Sequence, residues 1–143
     1  MKVVIFDLDG TLRTEEQSEH LHPKDPTIAA NWLEWQDHIN SNGSVIGCNK
    51  ALYDLCHDFG HKVIMLTSSQ SGTERWLSRN NIKIPYEIIE RHPRNDRDTI
   101  TFKAAIIKKL IKSGFEITHW VDNSRSMCEF VKSNYPDVNV NLV

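Results

Sequence analysis

The chain has 143 residues, 39% apolar and 25% charged, which suits one soluble globular domain and excludes an intrinsically disordered one. Seventeen Lys and Arg against nineteen Asp and Glu leave a net charge of −2, so a broad electrostatic grip on nucleic acid is not expected. No apolar run is long enough to span a bilayer; the odd set Cys48, Cys56 and Cys128 forms no CxxC pair and fits a reduced, cytoplasmic chain with no membrane partner.

In chain order, Lys2 to Asp7 is a continuous apolar run ending in acid, the pattern of a parallel strand buried on both faces. Leu12 to Gly43 then interrupts any strand–helix alternation. Its first half, RTEEQSEHLHPKDP, reads as polar loop. Its second half places Ile28, Trp32, Trp35 and Ile39 on one helical stripe. This is a small insertion over one end of a sheet, and its tryptophans are expected to pack inward rather than stack on a base. His20 and His22 are expected to be loop residues.

Ala51, Leu52, Leu55, Cys56 and Phe59 recur at helical spacing before a second strand, His61 to Thr67. Helical text from Thr73 to Asn80 leads to a short strand, Tyr86 to Glu90. Phe102, Ile106, Ile107, Leu110 and Ile111 form one face of a helix whose other side carries Lys108, Lys109 and Lys112. A fourth strand, Ile117 to Asp122, and a helix marked by Met127, Phe130 and Val131 precede a last strand, Val138 to Val143. Such alternation predicts an α/β fold: a three-layer, doubly wound parallel sheet over residues 1–143, the insertion at about 12–43 falling short of a full cap domain.

Ligands bind at the carboxyl ends of parallel strands, and four segments aim polar residues there: Asp7 and Asp9, Thr67, Lys103 and Asp122. In Asp7-Leu8-Asp9-Gly10-Thr11 the two acids share a face while Leu8 points away. One carboxylate can attack phosphorus; its neighbour can serve as acid and then as base. Lys103 lies near a helix start, where a cation is unfavourable unless an anion is present.

IFDLDGT, VIMLTSS, the Lys of DTITFK and WVDNS resemble, in order, the four motifs of the haloacid dehalogenase superfamily of phosphohydrolases. The Trp-containing insertion, RHPRNDRDTITFK and HWVDNSRSMCEFV are most similar to the phosphatase domain of polynucleotide kinase-phosphatases and small stand-alone relatives. The resemblance implies that Asp7 is the nucleophile and Asp9 the acid–base. Thr67, Ser68 and Lys103 would bind the phosphoryl group, and Asp7, Asp9 (through its carbonyl) and Asp122 would hold Mg²⁺. The substrate implied is a nucleotide or a nucleic-acid 3′-phosphate.

Charge requires a cation there: like charges about 4 Å apart repel by roughly 4 kcal/mol at an effective dielectric near 20, and Mg²⁺ suits one or two carboxylates plus a phosphate. Two positions depart from the resemblance. Asn123 stands where many relatives carry an acid, which predicts weaker metal affinity. Ser68-Ser69-Gln70 stands where some nucleic-acid-end phosphatases carry an arginine. Arg91, Arg94 and Arg97 are candidates for a second substrate phosphate, or solvated partners of Asp96 and Asp98. The alternatives are a phosphoprotein or sugar-phosphate phosphatase, a receiver-like phosphoryl-accepting module, for which Asp9 is superfluous, and a silent binding protein, for which Asp7 is.

Overall fold

The computed structural model describes residues 1–143. Five parallel strands form one sheet: β1 (Lys2–Phe6), β2 (Lys62–Leu66), β3 (Glu87–Ile89), β4 (Glu116–Asp122) and β5 (Asn139–Leu142), in the order β3-β2-β1-β4-β5. The chain first winds outward from β1 to β3, then returns across β1 to build β4 and β5. The reversal falls between β1 and β4, which is where a doubly wound sheet opens a crevice.

Two apolar clusters, one per face, make the three layers. On one face α4 (Thr99–Lys112) and α5 (Arg125–Asn134) bring Phe102, Ile107, Leu110, Met127 and Val131 onto Val3, Ile5, Ile64, Leu66 and Trp120. On the other, α2 (Gly47–Asp58) and α3 (Thr73–Arg79) bring Tyr53, Trp76 and Leu77 onto Val4, Phe6, Leu8, Val63, Met65 and Val121. Both faces of β1 and β2 are therefore covered, which explains why these strands read as unbroken apolar runs rather than alternating ones.

The pairing of β1 with β4 carries an irregularity that matters for the site. Val3 pairs with Ile117 but Val4 pairs with His119, so Thr118 is an extra residue in β4. Ile117 and Trp120 consequently face the same layer, although three residues apart. Beyond the bulge Phe6 pairs with Val121, which brings Asp122 opposite Asp7 and onto its face.

The insertion differs from the expectation in detail. The stretch read as polar loop contains a 3-10 helix, Glu16–Leu21, and the single stripe over Ile28–Ile39 is broken. A second 3-10 turn covers Ala29–Trp32 before α1 (Leu33–Asn42) begins. At three residues per turn rather than 3.6 the phase changes: Trp35 and Ile39 are buried, Ile28 is exposed and Trp32 is only half-buried. No helix is long and apolar enough to cross a membrane. The three cysteines are unpaired.

Candidate active site

Asp7 continues the face of β1 that carries Val3 and Ile5, and Lys103 projects from the first turns of α4 on that same side. The Lys103 ammonium, 2% exposed, donates to Asp7 Oδ1 at 2.8 Å and to Asp122 Oδ2 at 3.2 Å. Residues 96 and 115 positions apart from one another along the chain, Lys103 with Asp7 and Asp122 with Asp7, thus meet at one point. Asp122 is further fixed: Oδ1 accepts from the Ser124 N–H and Oδ2 from Trp120 Nε1. The second Asp7 oxygen accepts from Thr11 Oγ1 at 3.0 Å.

Burial pushes the Asp7 carboxyl up to about 7; the Lys103 charge pulls it back, while Asp122 and Asp9 add to the rise. For Lys103, burial disfavours the ammonium, but the Asp7 and Asp122 charges outweigh it and its pKa is raised. The cluster holds more negative than positive charge.

Asp9 is gripped from the opposite side. Its Oδ1 accepts from Arg13 Nε at 2.5 Å and its Oδ2 from Ser69 Oγ at 2.6 Å. Arg13 is wholly buried and also donates to Asn40 Oδ1 and Ser69 Oγ. One guanidinium therefore ties the strand-end loop, the insertion and the loop after β2 together. Gly10 makes the turn between Asp9 and Arg13 possible: its φ is +79°, and a Cβ there would lie 2.2 Å from Asn123 Nδ2.

A cleft of about 730 Å³ opens at this edge of the sheet, within the usual range for small-molecule sites. Its wall includes Asp7, Asp9, Lys103, Asp122, Asn123, Ser68, Ser69 and the start of α4 at Asp98 and Thr99. Six carboxylates (Asp7, Asp9, Glu15, Asp96, Asp98 and Asp122) face three permanent cations (Arg91, Arg97 and Lys103). The α4 N-terminus, capped by Asp98, adds a positive dipole end at the same edge.

The remaining expected residues are distributed unevenly. Thr67 is fully buried behind the wall, its hydroxyl accepting from the Ser69 N–H and standing 3.5 Å from Asp9 Oδ2. Ser68 is in the wall, facing Thr99 Oγ1. Arg91 lines the cleft but is largely committed to its own loop. It donates to the carbonyls of Asn95 and Arg97 and to the Ser68 and Thr99 hydroxyls, and stacks over Phe102. Arg97 lines the cleft and Arg94 does not.

Four site residues escaped the sequence reading. Thr11 lies in the D-x-D-G-T string itself, and Ser69 adjoins Thr67 and Ser68. Arg13 follows Asp9 by four residues, a weak signal in a segment read as loop. Glu15 carries none, yet burial and the Asp9 and Asp7 charges push its carboxyl up to about 7.

Asp7, Asp122 and the Asp9 carbonyl are the hard oxygen donors that could hold a small divalent cation at this edge. In the orientation that satisfies its neighbours, the Asn123 amide nitrogen donates to both Asp7 Oδ2 and the Asp9 carbonyl at 3.2 Å. Those two oxygens therefore converge on the Asn123 amide nitrogen. No group of three His, Cys, Asp or Glu side chains stands at metal-holding distances.

Solved structures that share this fold include two chains of the Pnkp1/Rnl/Hen1 RNA repair complex. Each has a TM-score of 0.73 and 20% identity over 99% of the present chain. The protein spans only 42% and 45% of the length of those two chains. No protein-family model and no curated protein matches the sequence.

Proposed function

We propose that the protein is a Mg²⁺-dependent phosphomonoesterase of the haloacid dehalogenase type, acting on the 3′-phosphate of a nucleotide or nucleic-acid end. The observation that carries this reading is the meeting of Asp7, Lys103 and Asp122 in one cleft, with a second acid two residues beyond Asp7. The motif order supports the reaction type; the Trp-containing insertion, RHPRNDRDTITFK and HWVDNSRSMCEFV, with the fold shared with chains of an RNA repair complex, support the substrate class.

Asp7, Asp122 and the Asp9 carbonyl would hold the cation. When bound, Mg²⁺ supplies positive charge that lets an anionic ester approach anionic carboxylates. Lys103, Ser68 and the α4 N-terminus orient the phosphoryl oxygens, with Thr67 behind them. An Asp7 carboxylate oxygen forms a bond to phosphorus as the ester oxygen departs with the bonding pair and takes a proton from Asp9. Water then bonds to the phosphorus of the aspartyl phosphate and gives a proton to Asp9, and the Asp7 oxygen leaves with its electron pair. Ester and water are consumed; alcohol and inorganic phosphate are released. Arg13 and Ser69 set the direction in which Asp9 points.

Turnover of p-nitrophenyl phosphate should require Mg²⁺, stop with EDTA and vanish in Asp7→Asn. A panel of 3′-phosphorylated oligonucleotides, nucleoside monophosphates, phosphopeptides and sugar phosphates tests the substrate. Preference for sugar phosphates would reject the nucleic-acid assignment and leave the reaction type standing.

A further inference from the structure

The insertion brings three aromatic rings to the rim of the same cleft. Trp32 and Trp35 pack edge to face, ring centres 5.3 Å apart at 90°, and His22 leans over Trp32 at 5.2 Å. All three line the cleft: Trp35 at the back, Trp32 half-exposed and His22 exposed. We propose that this aromatic wall stacks the heterocyclic base of the nucleotide whose phosphate reaches Asp7. The proposal rests on the phosphomonoesterase reading above and adds where, and how, the substrate is recognised.

The wall is held rigidly. Trp32 Nε1 donates to the Pro26 carbonyl. Between the rings and the sheet, both sides of the Ala29 residue are clasped: its N–H by Asp96 and its carbonyl by Gln70. An edge-to-face pair leaves the faces of at least one ring uncovered by its partner.

Behind the rings, Trp35 Nε1 and Gln70 Oε1 are buried without a protein hydrogen-bond partner. They lie beneath the surface of the wall, so contact with the base falls to the ring faces.

Charge decides between a long strand and a single terminal nucleotide. A cleft with twice as many carboxylates as cations repels a polyanion along its length. Recognition through stacking avoids that repulsion and makes binding only weakly dependent on salt, unlike a groove that tracks phosphates.

The test compares kcat/KM for a 3′-phosphorylated dinucleotide with that for its counterpart lacking the terminal base. The base should be worth about tenfold or more. Trp32→Ala should bring the ratio close to one, and Trp32→Phe, which retains a smaller ring, should give an intermediate ratio. In Asp7→Asn, adenosine 3′-phosphate should quench tryptophan fluorescence saturably, with little change between 50 and 200 mM salt. Quenching without turnover of any ester would remove the phosphatase reading and keep the platform. Turnover with a ratio near one in the unaltered protein, or a phosphotyrosyl peptide outcompeting the nucleotide, would overturn the platform and keep the phosphatase.

Discussion

Arg13 Nε lies 2.5 Å from Asp9 Oδ1, and both groups sit almost out of solvent, the side chains 0% and 12% exposed. The same guanidinium reaches Asn40 in the insertion and Ser69 beyond β2, so the acid two residues after Asp7 is positioned by three separate segments. Removing one member of a buried pair strands the other, at a cost of about 3–5 kcal/mol. Arg13→Ala should therefore lower unfolding free energy by roughly that amount in urea titrations. Arg13→Lys, which can reach one partner but not all three, should fall between. A loss near zero for Arg13→Ala would mean that Asp9 is held by something else.

Lys103 answers two carboxylates at once. Lys103→Met should abolish turnover and destabilise the metal-free protein, since Asp7 and Asp122 would then face each other without a cation. Adding Asp7→Asn should restore part of the stability and none of the activity. A double-mutant cycle on unfolding should give a coupling of about 0.5–3 kcal/mol, the range for groups in direct contact; additive losses would contradict the cluster.

In the metal-free protein Asp7 and Glu15 titrate near pH 7, well above their unfolded values. Over that interval the native state holds protons that the unfolded state has released, so stability falls as pH rises from about 4 to about 7 and levels off beyond. Urea midpoints measured in EDTA across this range should show that decline. Asp7→Asn should remove its share and leave the part due to Glu15, and Mg²⁺ should offset the decline by binding only the folded, ionised site. Stability rising over the same interval would contradict the raised values.

Much of this site was legible because strand periodicity is strict: an apolar run ending in acid places Asp7, and Asp9 two residues on, without knowledge of packing. Lys103 stood out among its neighbouring lysines because it lies at the wrong end of a helix dipole. The Thr118 bulge was not legible. ITHWVD reads as an ordinary buried run, and only the pairing with β1 reveals the extra residue, which the bulge absorbs so that Asp122 still falls on the face of Asp7. Nor was the outward turn of Trp32, since the 3-10 winding over Ala29–Trp32 shifts the phase of a stripe counted at 3.6 residues per turn. Arg13 escaped because a buried arginine in a polar loop has no periodic signature.

The bulge makes a sharp structural prediction. Deleting Thr118 leaves Ile117 opposite Val3 and His119 opposite Val4, so the pairing up to Val121, and Asp122 after it, can be retained. That variant should fold with a loss of about 1–2 kcal/mol and keep Mg²⁺-dependent turnover of p-nitrophenyl phosphate. Inserting one alanine between Trp120 and Val121 should rotate Asp122 to the opposite face and abolish turnover. Equal inactivity of both variants would show that the register of β4 is not what aims Asp122.

The most direct measurement is a trapped covalent intermediate. Protein mixed with a ³²P-labelled 3′-phosphorylated dinucleotide and Mg²⁺, then quenched in acid within milliseconds, should carry label on the peptide containing Asp7. That label should be released by hydroxylamine, as an acyl phosphate is, and be absent from Asp7→Asn. Phosphate released at full rate with no labelled protein at any time, or label retained in Asp7→Asn, would contradict the assignment of Asp7 as the nucleophile.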